Sequence, residues 1–207
     1  DGREFRTYTM KDGLSFDAVR TVFADKDNDD VWVGTELGLT IIRNGKISSD
    51  QNEFPFLKDL ENKDIRAIAK IDKNSFLIGT TDGLFRIKEK EIRGIEITKK
   101  DNKSIQAIYK ASNESIWVGT KKEGLFIVLL KEEKYKLISE KEDIIGINEE
   151  IESESNENRI IVSYRNRGLY HYSPLGEKEE GEIYRPYNKL NPTHRYLICE
   201  NRNSGVK

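Results

Sequence analysis

The chain has 207 residues, 36% of them hydrophobic and 35% charged, with a formal net charge of −2. That near balance gives no electrostatic reason to expect nucleic acid or an anionic membrane surface as partner. The single cysteine, Cys199, excludes an internal disulfide, and no run nears the ~18 apolar residues of a membrane span.

The N-terminal stretch Asp1-Gly-Arg-Glu-Phe-Arg lacks the apolar core of a secretory signal. A start at Asp1 is what a piece processed or cut from something longer would have. Residues 5–8 alternate apolar and polar, as a short strand does, and residues 11–15 read as a turn. Residues 18–23 form the next predicted strand, and the Asp-rich residues 25–30 a hairpin loop. Val31-Trp32-Val33 is apolar throughout, so that strand should be covered on both faces. Residues 34–38 read as a turn and 39–42 as a third strand. Asn44-Gly45 is a two-residue hairpin signal, and 46–48 a weak fourth strand.

The same order then recurs. The second unit has strands at 65–71, 76–78, 84–87 and 92–97; the third at 105–109, 116–118, 125–130 and 135–138. The fourth has strands at 144–147, 160–162, 169–172 and 183–187, with a long acidic loop over 149–158. Residues 195–200 resemble the opening strand of a fifth unit. An insertion at 50–62, containing Phe54-Pro55-Phe56-Leu57, reads as a helical turn or an excursion with its own apolar anchor.

The segment Asp30-Val-Trp-Val-Gly-Thr-Glu-Leu-Gly-Leu returns at 75–84, 115–125 and 159–169, so the glycine before each leucine falls at 38, 83, 124 and 168. Repeats of about 43 residues, each with four short antiparallel strands, have the arithmetic of β-propeller blades. The expected fold is all-β: a single propeller or propeller fragment over 1–207, with blades at about 17–49, 64–98, 104–139 and 143–188. Residues 195–207 would begin a fifth blade, with 4–9 from an adjacent or closing blade. Trp32 and Trp117 should lie between blades. The small residues Thr21, Ala67, Ala107 and Gly146 should line a tapering centre. Gly34, Gly79 and Gly119 are expected to allow a close turn or a positive φ, with Ser163 breaking that pattern.

Residues 12–39 resemble the two-component regulator propeller repeat, which runs from a Gly-Leu-Ser opening through a Val-Arg strand and an Asp-rich hairpin to Trp-(Ile/Val)-Gly-Thr and a Gly-Leu close. Unit one matches throughout. Units two and three match from Ile65-Arg66 and Ile105-Gln106 onward, and unit four only at Val162 and Gly168-Leu169. The resemblance implies a propeller, typically seven-bladed, in the periplasmic sensor region of a bacterial two-component or hybrid receptor, some of which sense oligosaccharides. Four units and a start make the chain either a fragment of such a propeller or a small five-bladed ring. An open fragment is expected to self-associate as a dimer through its faces or blade edges.

No nucleophile motif is present, and His171 and His194 have no cysteine or second histidine at ligand spacing. The loop at 25–30 carries alternating aspartates but lacks the glycine and distal glutamate of an EF-hand. No catalytic residue, metal or cofactor is therefore expected. The loops that enter the first strand and join second to third share one face of the blades. There the candidate ligand-binding residues are Asp17, Glu36, Asp82, Lys121, Arg165 and Arg167, together with Arg20, Arg66 and Gln106 at the starts of the first strands. Lys63, Asp64, Lys103, Ser104, Lys122 and Asn166 lie beside them. Mixed charge with hydroxyl and amide groups suits a polar ligand such as an oligosaccharide, on a scaffold whose loops carry function. The leading expectation is thus a non-enzymatic sensor region on the periplasmic or extracellular side of a bacterial inner membrane, itself without membrane contact. A scaffold for protein partners is the alternative, and a lyase or glycan-cleaving propeller a third.

Overall fold

The computed structural model of the protein describes residues 5–48, 52–97, 103–151 and 158–178. The predicted strands at 183–187 and 195–200 lie outside them. Three four-stranded antiparallel sheets and one three-stranded sheet follow one another along the chain. Blade one comprises β1 (Val19–Asp25), β2 (Asp30–Thr35), β3 (Gly38–Arg43) and β4 (Lys46–Ser48). A single turn of helix, α1 (Phe56–Asp59), precedes blade two: β5 (Ile65–Asp72), β6 (Ser75–Thr80), β7 (Gly83–Lys88) and β8 (Glu91–Ile95). Blade three has β9 (Ile105–Lys110), β10 (Ile116–Thr120), β11 (Gly124–Leu129) and β12 (Lys134–Glu140). Blade four shows β13 (Ile144–Ile151), β14 (Asn158–Tyr164) and β15 (Gly168–Tyr172).

Within each blade the strands pair in chain order, and the first strands contact one another in the series β1, β5, β9, β13. This is the up-and-down blade with its first strand innermost. The Asn44-Gly45 hairpin forms as expected, with φ of 51° and 68°, the two left-handed residues of a tight turn that matches strand twist.

The core lies between blades. Trp32 sits between blades one and two, stacking on Phe76 with ring centroids 4.2 Å apart and on Phe56 at 5.6 Å. Trp117 holds the junction of blades three and four with Ile144, Ile160 and Tyr172. Between blades two and three the core is smaller-sided, built on Leu77, Ile105, Val118 and Phe126. The insertion does form a helical turn. Its Phe54, Phe56 and Leu60 join the core between blades one and two rather than making an anchor of their own.

Four expectations are corrected. Residues 5–8 are not a strand, because no described strand runs alongside to pair with them. Instead Tyr8 reaches the β3–β4 turn, its hydroxyl donating to the Gly45 carbonyl at 2.9 Å. Gly34 does not begin the turn but lies inside β2, so that turn is tighter than 34–38. The acidic stretch after Ile147 is partly strand: β13 runs on to Ile151, with Glu149 paired to Ile160 and Glu150 to Arg159. Lastly, Gly34, Gly79 and Gly119 have no positive φ. They are glycines because the isoleucine opening the next blade occupies the space of a side chain. A Cβ at these positions would lie 2.7, 2.5 and 2.4 Å from the Cγ2 atoms of Ile65, Ile105 and Ile144.

The small first-strand residues answer to the same contact. Thr21, Ala67 and Ala107 sit directly opposite Gly34, Gly79 and Gly119. In blade four the arrangement is exchanged, with Gly146 on the first strand opposite Ser163 on the second.

Candidate functional site

One end of the arc is built by a repeated loop clamp. The amides of Glu36, Thr81, Lys121 and Arg165 donate to the carbonyls of Ala18, Asp64, Ser104 and Asp143, tying each second-to-third strand loop to the start of its first strand. In the first three blades a buried threonine finishes the turn. Thr35, Thr80 and Thr120 donate to Gly38, Gly83 and Gly124 carbonyls at 3.0, 3.1 and 2.8 Å. This is the physical content of the Gly-Thr pair: glycine for the neighbouring blade, threonine for the turn. Blade four has Tyr164 instead, hydrogen-bonded to the Tyr172 hydroxyl. Burial pushes both phenols above their ordinary value, so they are neutral polar groups.

Each first strand also carries a one-residue bulge just inside this face. The register slips between Val19 and Thr21, between Ile65 and Ala67, opposite Gly119 and Thr120, and between Ile144 and Gly146. The extra residues are Arg20, Arg66, Gln106 and Ile145. A bulge re-aims its side chain out of the ladder, and three of these four are candidates picked from the sequence. The bulge itself leaves no mark in the sequence that period-2 reasoning detects.

The side chains divide into two patches. At blades one and two, Glu36 pairs with Arg20, and Asp64 pairs with Arg66. Arg20 Nε and Asp64 Oδ1 face each other at 3.7 Å, an ion pair too long for a hydrogen bond, and both atoms are buried without a hydrogen-bond partner. The result is a continuous line Glu36–Arg20–Asp64–Arg66 across the blade boundary. Gln106 repeats the pattern in blade three, its amide donating to Ser104 Oγ at 2.9 Å.

At blades three and four a recess of about 400 Å³ is lined by Lys122, Glu142, Asp143, Tyr164, Arg165 and Arg167, among others. Arg165 Nε donates to Asp143 Oδ2 at 2.7 Å, and Arg167 pairs with Glu142. Sequence reasoning missed Glu142 and Asp143, although Asp143 holds the position of Asp64, immediately before the isoleucine. Three candidates stand apart from both patches. Asp17 accepts from the Met10 amide at 2.7 Å, Asp82 meets Lys63 at 3.4 Å, and Lys121 is exposed outside the recess.

No family model matches the chain, and no curated protein matches it. Solved structures do. The extracellular domain of the hybrid two-component system BT3049 from B. thetaiotaomicron superposes with a TM-score of 0.61 at 18% identity, over 80% of this chain and 22% of that one. The extracellular domain of the one-component system BT4673 from the same organism gives 0.61 at 16%, over 78% and 22%. The fold is a β-propeller. At these identities the likeness shows fold alone, and propellers of other activities are also similar. Virginiamycin B lyase from Staphylococcus aureus has a TM-score of 0.59 at 14% identity, covering 82% of this chain and 57% of that one. The chain spans about a fifth of the length of the receptor domains it matches. Those domains are of the class that residues 12–39 resemble. No helix among the described residues is long and apolar enough to cross a membrane.

Proposed function

We propose that the chain is a ligand-binding sensor region of a bacterial two-component receptor, outside the cytoplasm, that binds a polar ligand such as an oligosaccharide at the bulged face. The observation carrying this reading is the bulge repeated in every described blade. Three of its four extra residues are polar groups lifted out of the ladder toward one face. The Arg20–Asp64 pair, 3.7 Å apart with side chains 29% and 19% exposed, presents charged groups to which ligand hydroxyls can hydrogen-bond. The similarity to extracellular receptor domains supports the same reading. The groups at the face bind and orient a ligand without breaking a bond in it, and the lyase among the similar structures shares only the fold, at 14% identity.

The test is thermal denaturation of the chain with a panel of neutral oligosaccharides. A rise in Tm should appear with at least one sugar and vanish in the double variant Arg20→Gln/Arg66→Gln. A rise that is unchanged in that variant, or none with any sugar, overturns the reading.

A specific surface favours a second reading, contact with a second copy of the chain. Val22 and Val19 on β1 stay 61% and 46% exposed beside the Leu14–Val33–Ile42 cluster. Sedimentation should then show a concentration-dependent dimer that Val22→Lys dissociates, and a monomer at all concentrations rejects it.

A further inference from the structure

The blade two–three junction departs from its neighbours in one cross-strand pair. At the other two junctions a mid-strand tryptophan faces an isoleucine: Trp32 opposite Ile41 and Trp117 opposite Ile127. Blade two has Leu77 opposite Arg86. Leu77 is fully buried in the junction core, and the guanidinium brings charge to a position that is isoleucine at the other two junctions.

The next strand adds a second cation in register. Arg93 on β8 lies directly opposite Arg86 on β7, an arrangement that repels unless an anion is shared. Blade one shows how the fold neutralises an outer arginine. Arg43 donates to both carboxylate oxygens of Asp30, each at 2.6 Å. In blade two that pair is Ser75 opposite Lys88, and Ser75 supplies only a hydroxyl, accepting from Arg86 Nε at 3.1 Å. Arg93 has Glu91 at 3.1 Å, both side chains largely exposed. Among the described residues no carboxylate pairs with Arg86.

Beside this pair the two blades part into a cleft of about 690 Å³, within the range of small-molecule sites. Arg86, Arg93 and Lys88 stand on its blade two side; Val128, Leu129 and Tyr135 line the blade three side. Glutamates and cations are equal in number around it, so overall field does not select the ligand. Arg86 does, because no described carboxylate pairs with it and a guanidinium fork matches a carboxylate in a bidentate pair.

We propose that this cleft binds a small organic acid, with its carboxylate on Arg86 and Arg93 and its ring or apolar body against Val128 and Tyr135. The site is separate from the bulged face and stands independently of it. The test is a titration of the chain with galacturonate, digalacturonate, citrate and phenylacetate, with galactose as neutral control, followed by NMR of the arginine side chains. Saturable shifts of the Arg86 and Arg93 signals are expected with an acid and not with galactose. A response to the galacturonates alone identifies an acidic sugar, and one to citrate or phenylacetate as well identifies carboxylates generally.

Arg86→Ile installs the residue that both sister junctions carry, so the blade should fold and melt no lower, while affinity falls by about tenfold or more. The Arg20→Gln/Arg66→Gln variant should bind the acid unchanged, which separates this site from the bulged face. Silence of both arginines across the acids, equal shifts with galactose, or full affinity in Arg86→Ile overturns the proposal.

Discussion

Single atoms decide the spacing of the blades. A methyl at Gly79 would sit 2.5 Å from Ile105 Cγ2 and 2.9 Å from its Cβ, so Gly79→Ala must push two strands apart. Overpacking of this kind costs about 1–3 kcal/mol. Ile105→Ala removes the Cγ2 atom and leaves a cavity, and is destabilising alone. Combined, each substitution relieves the other, so denaturant unfolding of the double variant should show a loss smaller than the sum of the singles. Additive losses would mean the glycine serves some other purpose. At the opposite end of the blades, Lys70 bridges Asp25 and Asp27 of the neighbouring hairpin. Burial raises the Asp25 carboxyl, but hydrogen bonds from Lys70, Asn28 and the Asp27 amide outweigh it and leave the group below its ordinary value. A depressed folded-state value stabilises above the unfolded aspartate value of about 3.9 and is lost as pH falls through the folded value. Stability should therefore be flat near neutrality and decline in acid. In Asp25→Asn that acid decline should be shallower and the neutral-pH stability lower, measured by urea unfolding across pH.

Among the elements, the strands were legible and their irregularities were not. The four-fold recurrence of apolar triplets, glycine and turn residues located fifteen strands, most within two residues of their observed ends. What stayed hidden was what a single strand cannot show. The bulges at Arg20, Arg66 and Gln106 arise from pairing between strands, and the glycines of β2, β6 and β10 answer to a side chain in another blade. The exchange of Gly146 and Ser163 in blade four was visible as a missing glycine, yet only the register shows where the small residue went. Of the candidate site, the loops that carry the charged residues were legible, but Asp17, Asp82 and Lys121 stand apart from the two patches, and which carboxylate meets which arginine depends on rotamers that spacing does not fix. The insertion illustrates the same limit. Its Pro55 and Phe56 signalled a turn with an apolar anchor, while its packing on Trp32 is a contact with another strand that spacing does not show. Phe56 is 3% exposed and stacked on that indole, so Phe56→Ala should cost about 3–5 kcal/mol by the usual core-truncation scale. A fall in urea midpoint without change of slope would register it. A loss below 1 kcal/mol would show that the insertion merely rests on the blade.

At the scale of the whole molecule, the blades form a series in which each described blade packs on its neighbours in the order of the chain. Such repeat arrays approach a sum of unit stabilities and nearest-neighbour junctions. The junctions here are unequal: Trp32 sits between two phenylalanine rings, Trp117 meets Tyr172 edge-on at 6.0 Å, and the middle junction has no tryptophan and opens into a cleft. The middle junction is therefore the expected line of division. Trp117 is fully buried, its indole donating to Ser115 Oγ at 2.9 Å. Trp117→Ala removes the largest contact of the third junction and should cost about 3–5 kcal/mol there. If junctions act locally, amide exchange will accelerate in β9–β15 and remain slow in β1–β8, because the damage stops at the cleft. If exchange rises evenly across all blades, the arc unfolds as one cooperative body, and a ligand at any one face would stabilise every blade alike. A local response instead makes the cleft a hinge between two pairs of blades. A ligand bridging Arg86 and the Val128–Tyr135 wall would then lock the pairs together, turning occupancy of that cleft into a change in the stiffness of the whole arc.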